Sequence, residues 1–167
     1  FLKSMDRDTM AKSLLKGTFF TGGPYMPPST DYGWKELMAE YPDKYDVAGA
    51  KKLLADAGWK DTDGDGILEK NGKKLQAELI TYGGRAELPT YSEAAQAAAK
   101  AIGMDIKVKV VDYNITDKLT REGNYDLSVC NTLTMAAGDA EQFMKMYLTT
   151  GHEQNGSGYS SKEFDEL

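Results

Sequence analysis

Between Leu75 and Asp112 the apolar and polar positions fall into three patterned blocks. LQAELITY alternates like a half-buried strand and is broken by GGRAELP. Tyr91, Ala94, Ala95, Ala98 and Ile102 then recur at helical spacing, with Gly103 placed to end the helix. IKVKVVD alternates again, Ile106, Val108 and Val110 on one face and Lys107 and Lys109 on the other. Strand, helix and strand with so short a helix exit predict a βαβ unit with parallel strands. The alanine-rich face lets the helix lie close to the sheet. Ligands of such sheets gather at the carboxyl ends of the strands, beside helix amino termini, which here is Tyr82-Gly83-Gly84-Arg85.

The flanking sequence adds helices and loops. Asp6 can cap a helix through Met10, Leu14 and Leu15 to Gly17. GTFFTGGPYMPPSTDYG is too punctuated for regular structure and too apolar for disorder, so it reads as an ordered surface loop. A short helix near Lys35 to Glu40 follows. Asp46 caps the amphipathic DVAGAKKLLADAG, with Val47, Ala50, Leu53, Leu54 and Ala57 inward, and Trp59 packs back on the same core. Beyond the βαβ unit, Ile115 to Glu122 reads as a helix and DLSVC as a third strand. NTLTMAAGDA is a loop, and Asp139 to Thr149 a helix with Phe143, Met144 and Tyr147 inward. The sum is one α/β domain over 1–167, with a largely parallel βαβαβ core and flanking helices.

Composition narrows the class. Hydrophobic residues make up 41% of the 167 and charged residues 28%, the balance of a soluble globular domain. A net charge of −6 with no basic stripe argues against nucleic acid. The single cysteine, Cys130, cannot form an internal disulfide and sits in an apolar strand, so it reads as a core thiol. The chain opens on Phe1, and its closing YSSKEFDEL starts a helix with capping-box spacing from Ser160 to Glu163. Both ends therefore read as cuts in a longer polypeptide.

Three stretches carry candidate chemistry. Asp61, Asp63, Asp65 and Gly66 match the first half of an EF-hand-type calcium loop. The position that should hold a bidentate Glu is Gly72, and Asp-Gly repeats also serve tight turns, so a structural calcium and a plain turn both fit. Gly83-Gly84-Arg85 suits a carboxylate or phosphate, or is a flexible connection with a solvated arginine. It is not GxGxxG, and no Walker lysine follows. His152, the one histidine, excludes a multi-histidine metal site; it is either simply exposed or one donor to a metal held mostly from elsewhere. No nucleophile elbow or paired-carboxylate motif supports an enzyme.

YDVAGAKKLLADAGW, DTDGDGILEKNGKKL and the closing GYSSKEFDEL resemble the extracytoplasmic solute-binding proteins of peptide and nickel ABC transporters. MDRDTMAKSLLKG and GGPYMPPS fit the same family. The resemblance implies a type II periplasmic-binding-protein lobe, inserted between the two halves of a second lobe absent from this chain. It further implies a monomer that captures a solute outside the cytoplasmic membrane, in the periplasm or as an anchored lipoprotein. The solute passes to ABC permease subunits, and no chemistry or required cofactor is involved. Dipeptide-binding relatives hold the peptide amino group with an aspartate three residues before a GDP-like motif; here that position is Ala136 before Gly138-Asp139-Ala140. NTLTMAAGDA looks more like the nickel or metal-chelate branch, with peptides the alternative. It departs from one nickel-binding pattern, whose Trp and Tyr would fall on Thr134 and Gly138, but by ungapped spacing from Asp139 His152 matches that pattern's metal-contacting histidine. The expected ligand-binding residues are Arg85 as main anchor, Tyr82, Gly84, Asn131, Thr132 and Thr134, with His152 at a nickel chelate.

Overall fold

A computed structural model describes residues 1–14, 16, 17, 36, 45–135 and 138–166 of the chain. The proline loop, nearly all of the expected Lys35 to Glu40 helix, and Ala136 lie outside the described residues. Asp6 accepts a hydrogen bond from Thr9 N (3.0 Å) and caps α1 (Arg7–Thr9), which continues as a π-type turn over Met10–Leu14. Asp46 caps α2 (Val47–Asp56) through Gly49 N at 2.7 Å. Only Ala50 of its expected inward stripe is buried; Leu53 is 58% exposed and Ala57 is exposed. The amphipathic pattern placed the helix correctly and overstated how much of it is covered.

A two-stranded hairpin, β1 (Glu69–Lys70) and β2 (Lys73–Lys74), leads into β3 (Gln76–Tyr82). Its two-residue turn is Asn71-Gly72, both at positive φ (54° and 73°), the backbone that matches the right-handed twist of hairpin strands. The hairpin turn therefore belongs to Asn-Gly, and the Asp-Gly repeats form the loop before it. α3 (Glu87–Lys100) crosses from β3 to β4 (Asp105–Val111), α4 (Tyr113–Arg121) crosses back, and β5 (Leu127–Ser128) follows. α5 (Glu141–Leu148) and α6 (Lys162–Asp165) complete the described chain. α6 is capped by Ser161, which accepts from Phe164 N at 3.3 Å, one residue later than the expected Ser160.

The sheet has the order β4-β3-β5 with both pairings parallel, so the expected parallel βαβαβ core is present. β3 is central. Leu79 registers with Val108 on one side and Leu127 on the other. On this face Leu79, Ala95, Ala99 and Ile106 form the core with Met5 and Met10, and Tyr91, Ala94 and Ala98 pack at its border. The fully covered face of α3 thus includes Ser92, whose Oγ donates to Leu88 O (2.8 Å) and so is satisfied without water. Gly103 ends the helix region at φ 81°, and a Cβ there would come 2.6 Å from Leu68 Cγ, so the hairpin is pressed against the helix exit. Val110, on the same strand face as Ile106 and Val108, is 52% exposed, because the apolar cover thins toward the carboxyl edge. Cys130 is also exposed rather than a core thiol: β5 pairs only through Leu127 and Ser128, and Cys130 lies past its end. Among the described residues no helix is long and apolar enough to cross a membrane.

Candidate ligand cavity at the carboxyl edge of the sheet

The carboxyl ends of β3 and β5 open into a cavity of about 520 Å³. Alternation along β3 turns Leu79 toward α3, which leaves Ile80 and Tyr82 for the opposite face, where α4 packs. Tyr82 is buried, its ring meets Tyr113 edge-on (centroids 5.1 Å, 84°), and its hydroxyl accepts a long hydrogen bond from Asn131 N (3.4 Å). Thr81 Oγ1 donates to Val129 O (2.8 Å) and Val129 N to Ile80 O (3.0 Å), which fixes the chain leaving β5 beside β3. These bonds set where Asn131, Thr132 and Thr134 lie, and all three line the cavity with Tyr82.

Among the described residues, three other segments add to the lining. α4 contributes Tyr113, Thr116, Asp117 and Thr120; α5 contributes Phe143, Tyr147 and Leu148; and a loop contributes Gln154, Gly156 and Ser157. That loop is held tightly. A Cβ on Gly156 would sit 1.5 Å from Thr120 O, so only glycine allows its backbone to lie against α4. Arg121 on α4 pairs with Asp117 (2.9 Å) and Glu153 (3.6 Å), and the Gln154 amide oxygen, turned toward it, accepts from both terminal guanidinium nitrogens at 2.5 Å. Among the described residues five rings face this space, Tyr125 one of them, and the remaining groups are mostly hydroxyls and amides. Ser128 Oγ, also in the lining, is buried with no hydrogen-bond partner. Among the described residues, Asp117 is the one lining residue that carries a charge.

The other expected ligand residues stand elsewhere. Gly84 and Arg85 are exposed at the same sheet edge but do not line the cavity. The Arg85 guanidinium is 54% exposed and 3.9 Å from Glu87. Neither Gly83 nor Gly84 needs to be glycine for space, since an added Cβ would meet only ordinary contacts at 3.6 and 3.7 Å. His152 is half-buried, its Nδ1 accepts from Gln154 N (3.1 Å), and it does not line the cavity. Asp61, Asp63 and Asp65 precede the hairpin at the amino end of β3, about 20 Å of strand from the cavity. There they meet Glu69, with one oxygen of each residue within 4.8 Å of all the others.

The sequence that builds this sheet and cavity also matches a known family profile. The profile of bacterial extracellular solute-binding proteins, family 5 (middle part), covers residues 2–155. The chain belongs to that family. Family 5 relatives include the oligopeptide-binding protein AppA of Bacillus subtilis, 32% identical over 130 residues, or 74% of this chain and 22% of the relative. The nickel-binding periplasmic protein of Escherichia coli is 32% identical over 105 residues, 63% of this chain and 20% of its own length. The solved structure of AppA with a nonapeptide superposes with a TM-score of 0.78 at 24% identity, covering 99% of this chain and 33% of that one. The fold is that of the type II periplasmic binding proteins, as expected. The chain spans about a fifth to a third of the length of these relatives.

Proposed function

We propose that this chain forms one lobe, and one wall of the solute cleft, of an ABC importer's extracytoplasmic receptor, and that the solute is a peptide. The observation that carries the reading is the cavity lining. Aromatic rings and neutral hydroxyl and amide groups suit a ligand made of repeated amide donors and acceptors with apolar side chains. AppA, an oligopeptide-binding relative, supports the same choice. A compact nickel chelate, the first expectation, would be met by Arg85 and His152, and both lie outside the lining. Tyr82, Asn131, Thr132 and Thr134 are the proposed ligand-facing residues on the strand side, and Arg85 and Gly84 lie at the rim. The receptor acts by binding and hinge closure, handing the solute to membrane permease subunits.

The test is native mass spectrometry of the solute that co-purifies with the full-length receptor, followed by calorimetry with peptides and with nickel–histidine. Peptide masses and peptide binding heats are expected. Nickel-chelate binding with no response to peptides would replace this reading by the chelate one.

A further inference from the structure

We propose that Asp61, Asp63, Asp65 and Glu69 hold one calcium ion, and that the Lys74 ammonium leaves the cluster when the ion enters. Oxygens around calcium lie at about 2.4 Å from it, so any two are at most about 4.8 Å apart. The four side chains already offer oxygens within 4.8 Å of one another. Proximity of acids alone would not argue for an ion. Glu69 supplies the independent observation. Its side chain is nine-tenths buried, and its Oε1 is sealed from solvent without any hydrogen-bond partner, facing Lys74 Nζ at 3.8 Å. Its Oε2 is fixed by Thr62 N (2.7 Å) and Thr62 Oγ1 (2.9 Å), which aims the other oxygen into the cluster. A buried carboxylate oxygen without a donor is costly, and a cation between the acids satisfies it.

The loop is already shaped around positive charge. Asp61 accepts from Gly64 N and Gly66 N, Asp63 from Asp65 N, and Asp65 from Ile67 N, each leaving carboxylate capacity inward. Lys74 Nζ bonds Asp63 (3.0 Å) and Asp65 and lies 3.8 Å from Glu69, so three carboxylates meet one ammonium, with Asp61 beside them. The donors are all oxygens, with no histidine or thiolate, which selects a hard cation. An all-oxygen donor set whose three aspartates are exposed to water suits calcium better than magnesium, which demands a near-ideal octahedron and dehydrates reluctantly. Bound there, the ion ties the Asp61–Glu69 loop to the hairpin, at the opposite end of β3 from the ligand cavity. The inference does not depend on which solute the cavity takes.

Calorimetry and thermal melts of the protein in chelator, in calcium and in magnesium test it. A calcium dissociation constant on the order of 10⁻⁴–10⁻³ M or tighter is expected, with a melting temperature that rises and saturates with calcium. Glu69→Gln, which keeps the size and the Thr62 acceptor, should weaken calcium binding at least about tenfold. Lys74→Met should tighten calcium binding and lower the melting temperature in chelator. No calcium-dependent heat or melting shift in the wild type overturns the proposal, as does a Glu69→Gln variant that binds like wild type. An equal response to magnesium overturns the choice of calcium. Should Glu69→Gln not fold, Lys74→Met decides alone: unchanged or weaker calcium binding refutes the competition.

Discussion

Individual atoms decide whether the cavity exists. Gly156 lies so near Thr120 O that a methyl group would occupy the carbonyl's space. Gly156→Ala should therefore push the 154–157 loop away from α4, costing about 1–3 kcal/mol by overpacking, and lower ligand affinity with it. Gly84→Ala is the control at the same sheet edge: its Cβ meets Tyr82 Cδ2 at 3.7 Å, and the change should stay within about 0.5 kcal/mol. Urea unfolding of both variants measures the difference, and equal stabilities would show that the loop relaxes freely. Sequence could not single out Gly156, because its requirement comes from a carbonyl 36 positions earlier, at Thr120. Tyr82 and Asn131 were legible for a simple reason: each stands at or just past the carboxyl end of a strand with clear alternation. The same rule, applied to the end of β4, would have found Tyr113, which begins the helix there. Cys130 was misread because apolar runs do not reveal where pairing stops.

At the scale of elements, patterning located β3, α3 and β4 well, since alternation and an alanine stripe are local signals that the core later uses. It did less for α2, whose stripe stays largely uncovered among the described residues, and for the hairpin, whose Asn71-Gly72 turn was overshadowed by the acidic repeats. That hairpin has its own electrostatic signature. The hydrogen bond from Lys74, foremost, and that from Ile67 N hold the Asp65 carboxyl below its ordinary value of 3.8, while Asp65 and Asp63 push the Lys74 ammonium above its ordinary 10.5. For a depressed carboxyl the stabilisation is present above the unfolded value and disappears as pH falls through the folded one; for a raised ammonium it is present below about 10.5 and disappears as pH climbs through the raised value. In chelator, then, this contact should be constant from about pH 5 to 9 and fade below about pH 4. Melting temperature against pH, compared with Lys74→Met, checks it: the variant should lose less on acidification. Parallel acid limbs would mean that the exposed pair contributes nothing, the usual fate of a solvated ion pair.

For the whole molecule, the question is what faces the open side of the cavity. Tyr113, Ile115 and Leu133, with Val110, are 50% to 73% exposed, and they cluster in sequence at the carboxyl ends of the strands and the start of α4. An apolar edge of this kind beside a cavity fits a cleft wall that meets a second lobe, which the greater length of the family relatives would supply. A ligand held from one side keeps much of its surface in water and forfeits the contacts of the other wall. This chain alone should therefore bind a peptide at least about a hundredfold more weakly than the full-length receptor, a difference of about 2.7 kcal/mol. Within the receptor the affinity should follow the cavity rather than its rim. Tyr113→Ala removes an edge-on ring contact with Tyr82 and part of the aromatic lining, and should cost about tenfold or more in affinity. Arg85→Lys changes a guanidinium that is 54% exposed and loosely paired with Glu87, and should leave affinity within about twofold. Calorimetry on the two variants separates the alternatives cleanly. If Arg85→Lys weakens binding strongly while Tyr113→Ala does not, the ligand sits on the rim as a forked carboxylate, where guanidinium geometry cannot be replaced by ammonium, and the cavity is only a space left by crossing helices.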